Sequence, residues 1–313
     1  MNSTAPDEFG LRVARLRRFG LLSLAGDDAR GFLHGQLTND IDHLPADQAR
    51  LAGWCSAKGR LLASFVVVPR PDGFLLQLAA DIVPSVAKRL GMFVLRAKVR
   101  ISDLGQRYAQ LGVWGARAVA RLAELGVTLG QAPMAVTTDG ELTAVRVERD
   151  RVLVIALSAQ AERIEAELGA VISDEEDWTL LEIRAGRALI EHATQDLFVP
   201  QMVNLEAVGG VDFKKGCYPG QEIVARAQYR GQIKRRMVRG RLEDARVEAH
   251  AGTELYSDDL PGQASGTVVS VAAANGGREL LAVVPIAAVE AGAAIRVAPD
   301  GPAIEILPLP YAS

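Results

Sequence analysis

Residues 211–237, VDFKKGCYPGQEIVARAQYRGQIKRRM, gather the side chains best suited to chemistry in this 313-residue chain. Cys217, one of two cysteines, follows Lys214 and Lys215 in a turn rich in glycine and proline, just ahead of an amphipathic stretch. On a strand-to-helix turn, helix-end amides and neighbouring ammonium groups stabilise a thiolate, the nucleophilic form of cysteine. The same residue reads equally well as a small buried hydrophobe. Cys55, in LAGWCSAKGR, has fewer cations around it and is read as the buried kind. Glu222 is placed to cap its own helix, although a carboxylate there can also move a proton. Arg226 and Arg230, four residues apart, share one helix face that is expected to meet solvent.

The whole chain narrows what this segment can be. It is 49% hydrophobic and 23% charged, the balance of a soluble protein long enough for two or three packed units. Residues 1–18 are polar and charged with no apolar stretch, so no secretory signal is expected. The longest apolar run, residues 280–289, contains Pro285 and is far short of the ~20 residues that cross a bilayer. A cytoplasmic protein without membrane contact is expected. Two distant cysteines and four scattered histidines argue against a disulfide framework, a zinc site or a resident iron–sulfur cluster. Residues 214–241 carry nine basic residues against one acid, a net +8 that leaves −11 for the rest of a chain whose total is −3. A basic patch on an acidic protein points to a specific anionic ligand or partner more than to general nucleic-acid coating. Only Tyr229 accompanies the arginines, so direct nucleic-acid binding by base stacking is not expected.

The elements that must position the segment follow from hydrophobic spacing. A polar tail over 1–17 precedes a strand over 18–24. Residues 25–40 form a helix capped by Asp27 or Asp28, with Ala29, Phe32, Leu33 and Leu37 on one face. Residues 59–69 and 73–79 form a hairpin, and a helix starts near Asp81. Residues 94–102, VLRAKVRIS, alternate strictly and predict a strand with Arg96, Lys98 and Arg100 on one side. These cations are either a solvated face or an anion-holding ribbon. Residues 112–126 and 159–170 read as helices, 142–157 as a hairpin, and Ser173 with Glu176 as a capping box for a helix that stops near Gly186. Beyond Arg235, short strands recur between turn residues, the pattern of a small β-barrel. The expected organisation is an α+β region over 18–234, built of two interleaved parts, and a C-terminal barrel over 235–313.

The stretch KGCYPGQEIVAR, residues 215–226, resembles the signature of the YgfZ family of folate-binding proteins, and GDDARGFLHGQLTND, KGRLLASFVV, FVLRAKVRI, FVPQMVNLEAVGGVDF and LPLPY agree in order along the chain. That family is linked to tRNA modification and to iron–sulfur enzymes and is related to the glycine-cleavage T-protein, an aminomethyltransferase. The resemblance implies a T-protein fold, an α+β folate-binding core with a C-terminal β-barrel. It implies tetrahydrofolate or a derivative as ligand, iron–sulfur enzymes or their assembly machinery as partners, and no resident metal. It further implies Cys217 and Lys215 as the active pair, with Cys217 serving in thiol exchange or as a transient cluster ligand. Folate is then met by Lys215, Tyr218, Gln221, Glu222, Arg226, Arg96, Asn39 and Asn204.

Two departures separate the chain from the T-protein. Where the T-protein has an acidic pair in its early hairpin, KGRLLAS has no carboxylate; where its helix offers a glutamate to the pterin, LEIRAG has Arg184. A folate-dependent aminomethyltransferase or demethylase remains the alternative to a folate-binding accessory protein, with an RNA-binding module last.

Overall fold

The structure, a computed structural model, describes residues 10–231 and 233–311. The chain divides into two compact units that cross the linear boundaries 17/18 and 234/235. The first contains the described residues up to 32, then 42–50 and 66–178; the second contains 33–41, 51–65 and 179 onward. The C-terminal strands therefore share a unit with the cysteine turn. Residues 1–9 of the expected tail lie outside the described residues. The remainder is not a tail, because Arg12–Arg15 is a strand whose Val13 and Ala14 are fully buried.

In the first unit, six strands run in the order Val171–Ile172, Arg12–Arg15, Tyr108–Trp114, Arg151–Leu157, Leu142–Glu148, Ala135–Asp139. Alternating Leu111 and Val113, Val152, Val154 and Ala156, and Ala144 point to one face, where the helices Ala118–Glu124 and Ser158–Leu168 add Leu122, Ile164 and Leu168. The hairpin expected over 59–79 is present, with Val66–Arg70 paired to Gly73–Gln77. The 142–157 hairpin is present as well.

Three local expectations are corrected. The alternating stretch at 94–102 is a strand only over Arg100–Asp103, because the helix Val83–Val94 runs on into it and ends at Leu95, whose φ is +46°. The turn that follows is fixed by Asp28, whose carboxylate accepts the Lys98 amide at 2.7 Å. Alternation in a short turn carries no information about pairing, and Arg96 stands exposed there rather than on a ribbon. The helix expected over 112–126 begins only at Ala118, since Tyr108–Trp114 is taken by the sheet. The helix Glu175–Arg184 is capped by Asp174, which accepts the Glu176 amide at 2.8 Å, while Ser173 receives Arg12 instead.

The second unit is built on an antiparallel six-stranded sheet, in the order Ile295–Arg296, Glu254–Ser257, Ala264–Ala274, Gly277–Pro285, Arg235–Leu242, Glu305–Leu307. Its two edges meet where Ile304 donates to the Ile295 carbonyl at 2.7 Å and Arg296 bridges Ala303. The sheet thus curls into a half-barrel, the expected C-terminal architecture. One face packs Leu242, Leu255, Val268 and Leu280 inside the curl. The other supplies Met237, Val269, Leu281 and Val283 to a second core, with Cys55, Leu61, Ile183, Phe198 and Val224. Among the described residues, no helix is long and apolar enough to cross a membrane.

Candidate functional site

The cysteine turn is built from contacts far apart in sequence but all inside the second unit. Its approach is stitched down first. The Thr38 hydroxyl donates to Gly210 O and accepts from Gly53 N, both at 2.7 Å, and the Asp212 amide donates to Thr38 O at 2.9 Å. Asn39 donates through Nδ2 to Leu51 O and Gly209 O, both at 2.7 Å. Residues 211–213, expected to be strand-like, are instead an irregular segment ending in an Asx turn. There the Asp212 carboxylate accepts the Lys214 amide at 2.7 Å and the Lys215 amide at 3.2 Å.

Lys215 then reaches away from solvent. Its ammonium donates to His34 O, and to Leu37 O at 2.8 Å, both at the C-terminal end of the helix Ala29–Gln36. Those carbonyls are orphaned by helix termination, and a cation there also opposes the helix dipole. The same ammonium lies 4.9 Å from the Tyr218 ring centroid. Lys215 therefore fixes the turn, and its charge is directed at backbone rather than at an open site.

The far side is fixed by two glycines. Gly220 has φ +78° and Gly59 φ +69°, and a Cβ on Gly220 would lie 2.4 Å from Ser56 O and 2.6 Å from Gly59 Cα. The hairpin turn at 56–60 and the start of the helix Gln221–Tyr229 therefore touch backbone to backbone. Gln201, fully buried, holds the helix from beneath through its amide to Val224 O at 2.8 Å.

These contacts give the two cysteines opposite surroundings. Cys217 is exposed. Cys55 is 2% exposed in the unit's core, where burial pushes its thiol up to about 12. Tyr218, between the two in character, is buried; desolvation raises its phenol first, and a charge on Cys55 would raise it further.

The remaining expected site residues divide by availability. Asn39 and the fully buried Asn204 are committed to backbone carbonyls, Asn204 to Met237 O at 2.9 Å. Gln221 is half-buried at the helix start, and Glu222 and Arg226 stand exposed on the helix. Arg96 lies in the other unit. Arg226 is an exposed cation with no ion pair among the described residues, so it fits a carboxylate tail. Lys215, Asn39 and Asn204 each give donor atoms to the protein's own backbone. Among the described residues, no group of three or more histidines, cysteines or carboxylates is placed to hold a metal ion.

Sequence reasoning passed over Gly59 and Phe213. Gly59 is the partner that Gly220 requires, and its only signal was the KGR turn. Phe213 meets the Tyr229 ring edge-on with centroids 6.0 Å apart. Arg184 pairs with the buried Glu279 at 2.8 Å and serves the half-barrel.

No family model matches the chain. It is similar to the tRNA-modifying protein YgfZ of Edwardsiella ictaluri, 36% identical over 99% of this chain and 95% of the relative. The tRNA-modifying protein YgfZ of Serratia proteamaculans is 33% identical over 98% of this chain and 94% of the relative. Among solved structures, the glycine cleavage system aminomethyltransferase T of Bartonella henselae superposes with a TM-score of 0.70 at 17% identity, covering 89% of this chain and 79% of that one.

Proposed function

This chain belongs to the YgfZ family of tRNA-modifying proteins, and we propose that it supports the assembly or repair of iron–sulfur enzymes, including ones that act on tRNA, with Cys217 as its reactive thiol. The observation that carries this reading is the turn itself. Lys215, Asp212, Gly59 and Gly220 are all used to hold the backbone around one exposed cysteine, while the second cysteine is kept inert in the core. A thiolate on such a mount can exchange with a disulfide or ligate iron for a time.

A tetrahydrofolate derivative belongs to the proposal as ligand, supported by the T-protein fold and not by the turn residues. Bound, it would supply a one-carbon carrier or a structural effector. Methylene transfer by the T-protein route has less support, because Arg184 is occupied by Glu279 and the 58–64 hairpin offers no carboxylate.

Two measurements test the reading. Titration calorimetry with tetrahydrofolate should give saturable binding in the wild type and in Cys217→Ala. In a strain lacking its own copy of the protein, Cys217→Ala should fail to restore an iron–sulfur tRNA-modifying activity. Full restoration by Cys217→Ala would remove the thiol from the function, and absent binding at millimolar tetrahydrofolate would remove the ligand.

A further inference from the structure

The basic run beyond Cys217 is sorted by the fold into two kinds of arginine. On the strand Arg235–Leu242, Arg236 pairs with Glu206 at 2.6 Å, and Arg239 and Arg241 are half-buried. Arg226, Arg230, Lys234 and Arg235 are exposed instead, and none forms an ion pair among the described residues. Two of these line a groove of about 560 Å³ along the helix Gln221–Tyr229, together with Glu222, Ala225 and Tyr229. Tyr229 is 69% exposed, a large apolar ring left open to water on a short helix.

An open ring and unpaired guanidinium groups in one concavity match the two halves of a nucleotide. A base stacks on an aromatic face whatever its identity, and cations neutralise the phosphates beside it. Phe213 and Tyr229 form a T-shaped pair that holds the ring from one side, while Tyr229 stays 69% exposed. The sequence alone argued against RNA because Tyr229 stood by itself among the arginines; the structure gives it a support. We propose that this groove binds single-stranded RNA, with Tyr229 as the stacking platform and Arg226 and Arg230 on the flanking phosphates. Among the described residues, Glu222 is the only acid lining the groove, against two arginines. The inference does not depend on the thiol or on folate, and it gives the family's link to tRNA a direct contact.

The test is fluorescence anisotropy of the purified full chain with a labelled oligouridine of about 12 nucleotides, within the site sizes of such surfaces. Two neutralised phosphates predict affinity falling about sevenfold between ~50 and ~200 mM salt. Tyr229→Ala should weaken binding about tenfold, and Tyr229→Phe should retain it, since the ring face is kept. The double variant R226A/R230A should lose most of the salt dependence. All three variants alter exposed side chains, and unchanged thermal melts confirm that they fold. The inference is overturned by absence of binding at low salt, or by Tyr229→Ala and R226A/R230A binding as the wild type does. It is equally overturned if R226A/R230A abolishes tetrahydrofolate binding and leaves RNA binding intact, which would give the groove to the smaller ligand.

Discussion

Cys55 and Cys217 lie in the same compact unit, yet everything around them differs. Cys55 ends the strand Arg50–Cys55 and packs with Leu61, Ile183, Phe198 and Val224, so its desolvated thiol stays protonated. Cys217 sits in a segment without regular structure, on backbone pinned by a lysine, an Asx turn and a glycine contact. The lesson is that reactivity is set by how the backbone is held. A core silences one thiol by packing; a turn offers the other by spending its polar neighbours on geometry.

The comparison can be broken most severely at Gly220. Gly220→Val places a branched side chain at φ +78° against Ser56 O and Gly59, and should cost roughly 3 kcal/mol in urea denaturation. A neutral result would mean that the turn and the hairpin are not in contact. At high pH the difference should appear in Cys55. Its folded value lies above its unfolded value, so its contribution is fully present below pH ~9 and is lost as pH rises toward about 12. By pH ~11 the loss should approach ~3 kcal/mol, and Cys55→Ala should flatten that part of the stability profile. An unchanged profile in the variant would place Cys55 outside the core.

Lys215→Met sharpens the contrast, because it leaves the His34 and Leu37 carbonyls without their charged donor. A loss of about 2 kcal/mol is expected, with activity falling only as far as the fold does. Lost activity at unchanged stability would instead make Lys215 a ligand or catalytic group. Arg184→Gln should cost about 1–2 kcal/mol by leaving the buried Glu279 unpaired, without altering tetrahydrofolate titration. A changed titration would return that position to the ligand.

Much of this was legible in the sequence, and for identifiable reasons. The half-barrel announced itself through evenly spaced short strands, and the hairpins through period-two alternation. Cys217 stood out because two lysines and a glycine-bounded turn are local features. What Lys215 does was not legible, since its partners His34 and Leu37 lie 181 and 178 residues away. The same holds for Gly59 against Gly220, a contact that exists only once the unit is folded. At 94–102 a local pattern misled, because alternation says nothing about whether a partner strand is in register; pairing with Phe19–Ala25 reaches only Arg100–Asp103. The two units also draw segments from separate parts of the chain, which no linear change of composition reveals.

The central claim is that the turn presents Cys217 as a working thiol while the core withholds Cys55. A brief pulse of iodoacetamide on the native protein, mapped by mass spectrometry and followed by the tRNA-modification assay, tests it directly. The account predicts near-complete labelling of Cys217, unlabelled Cys55 and loss of activity in step with the label. Comparable labelling of both cysteines, or full activity with Cys217 alkylated, would contradict it.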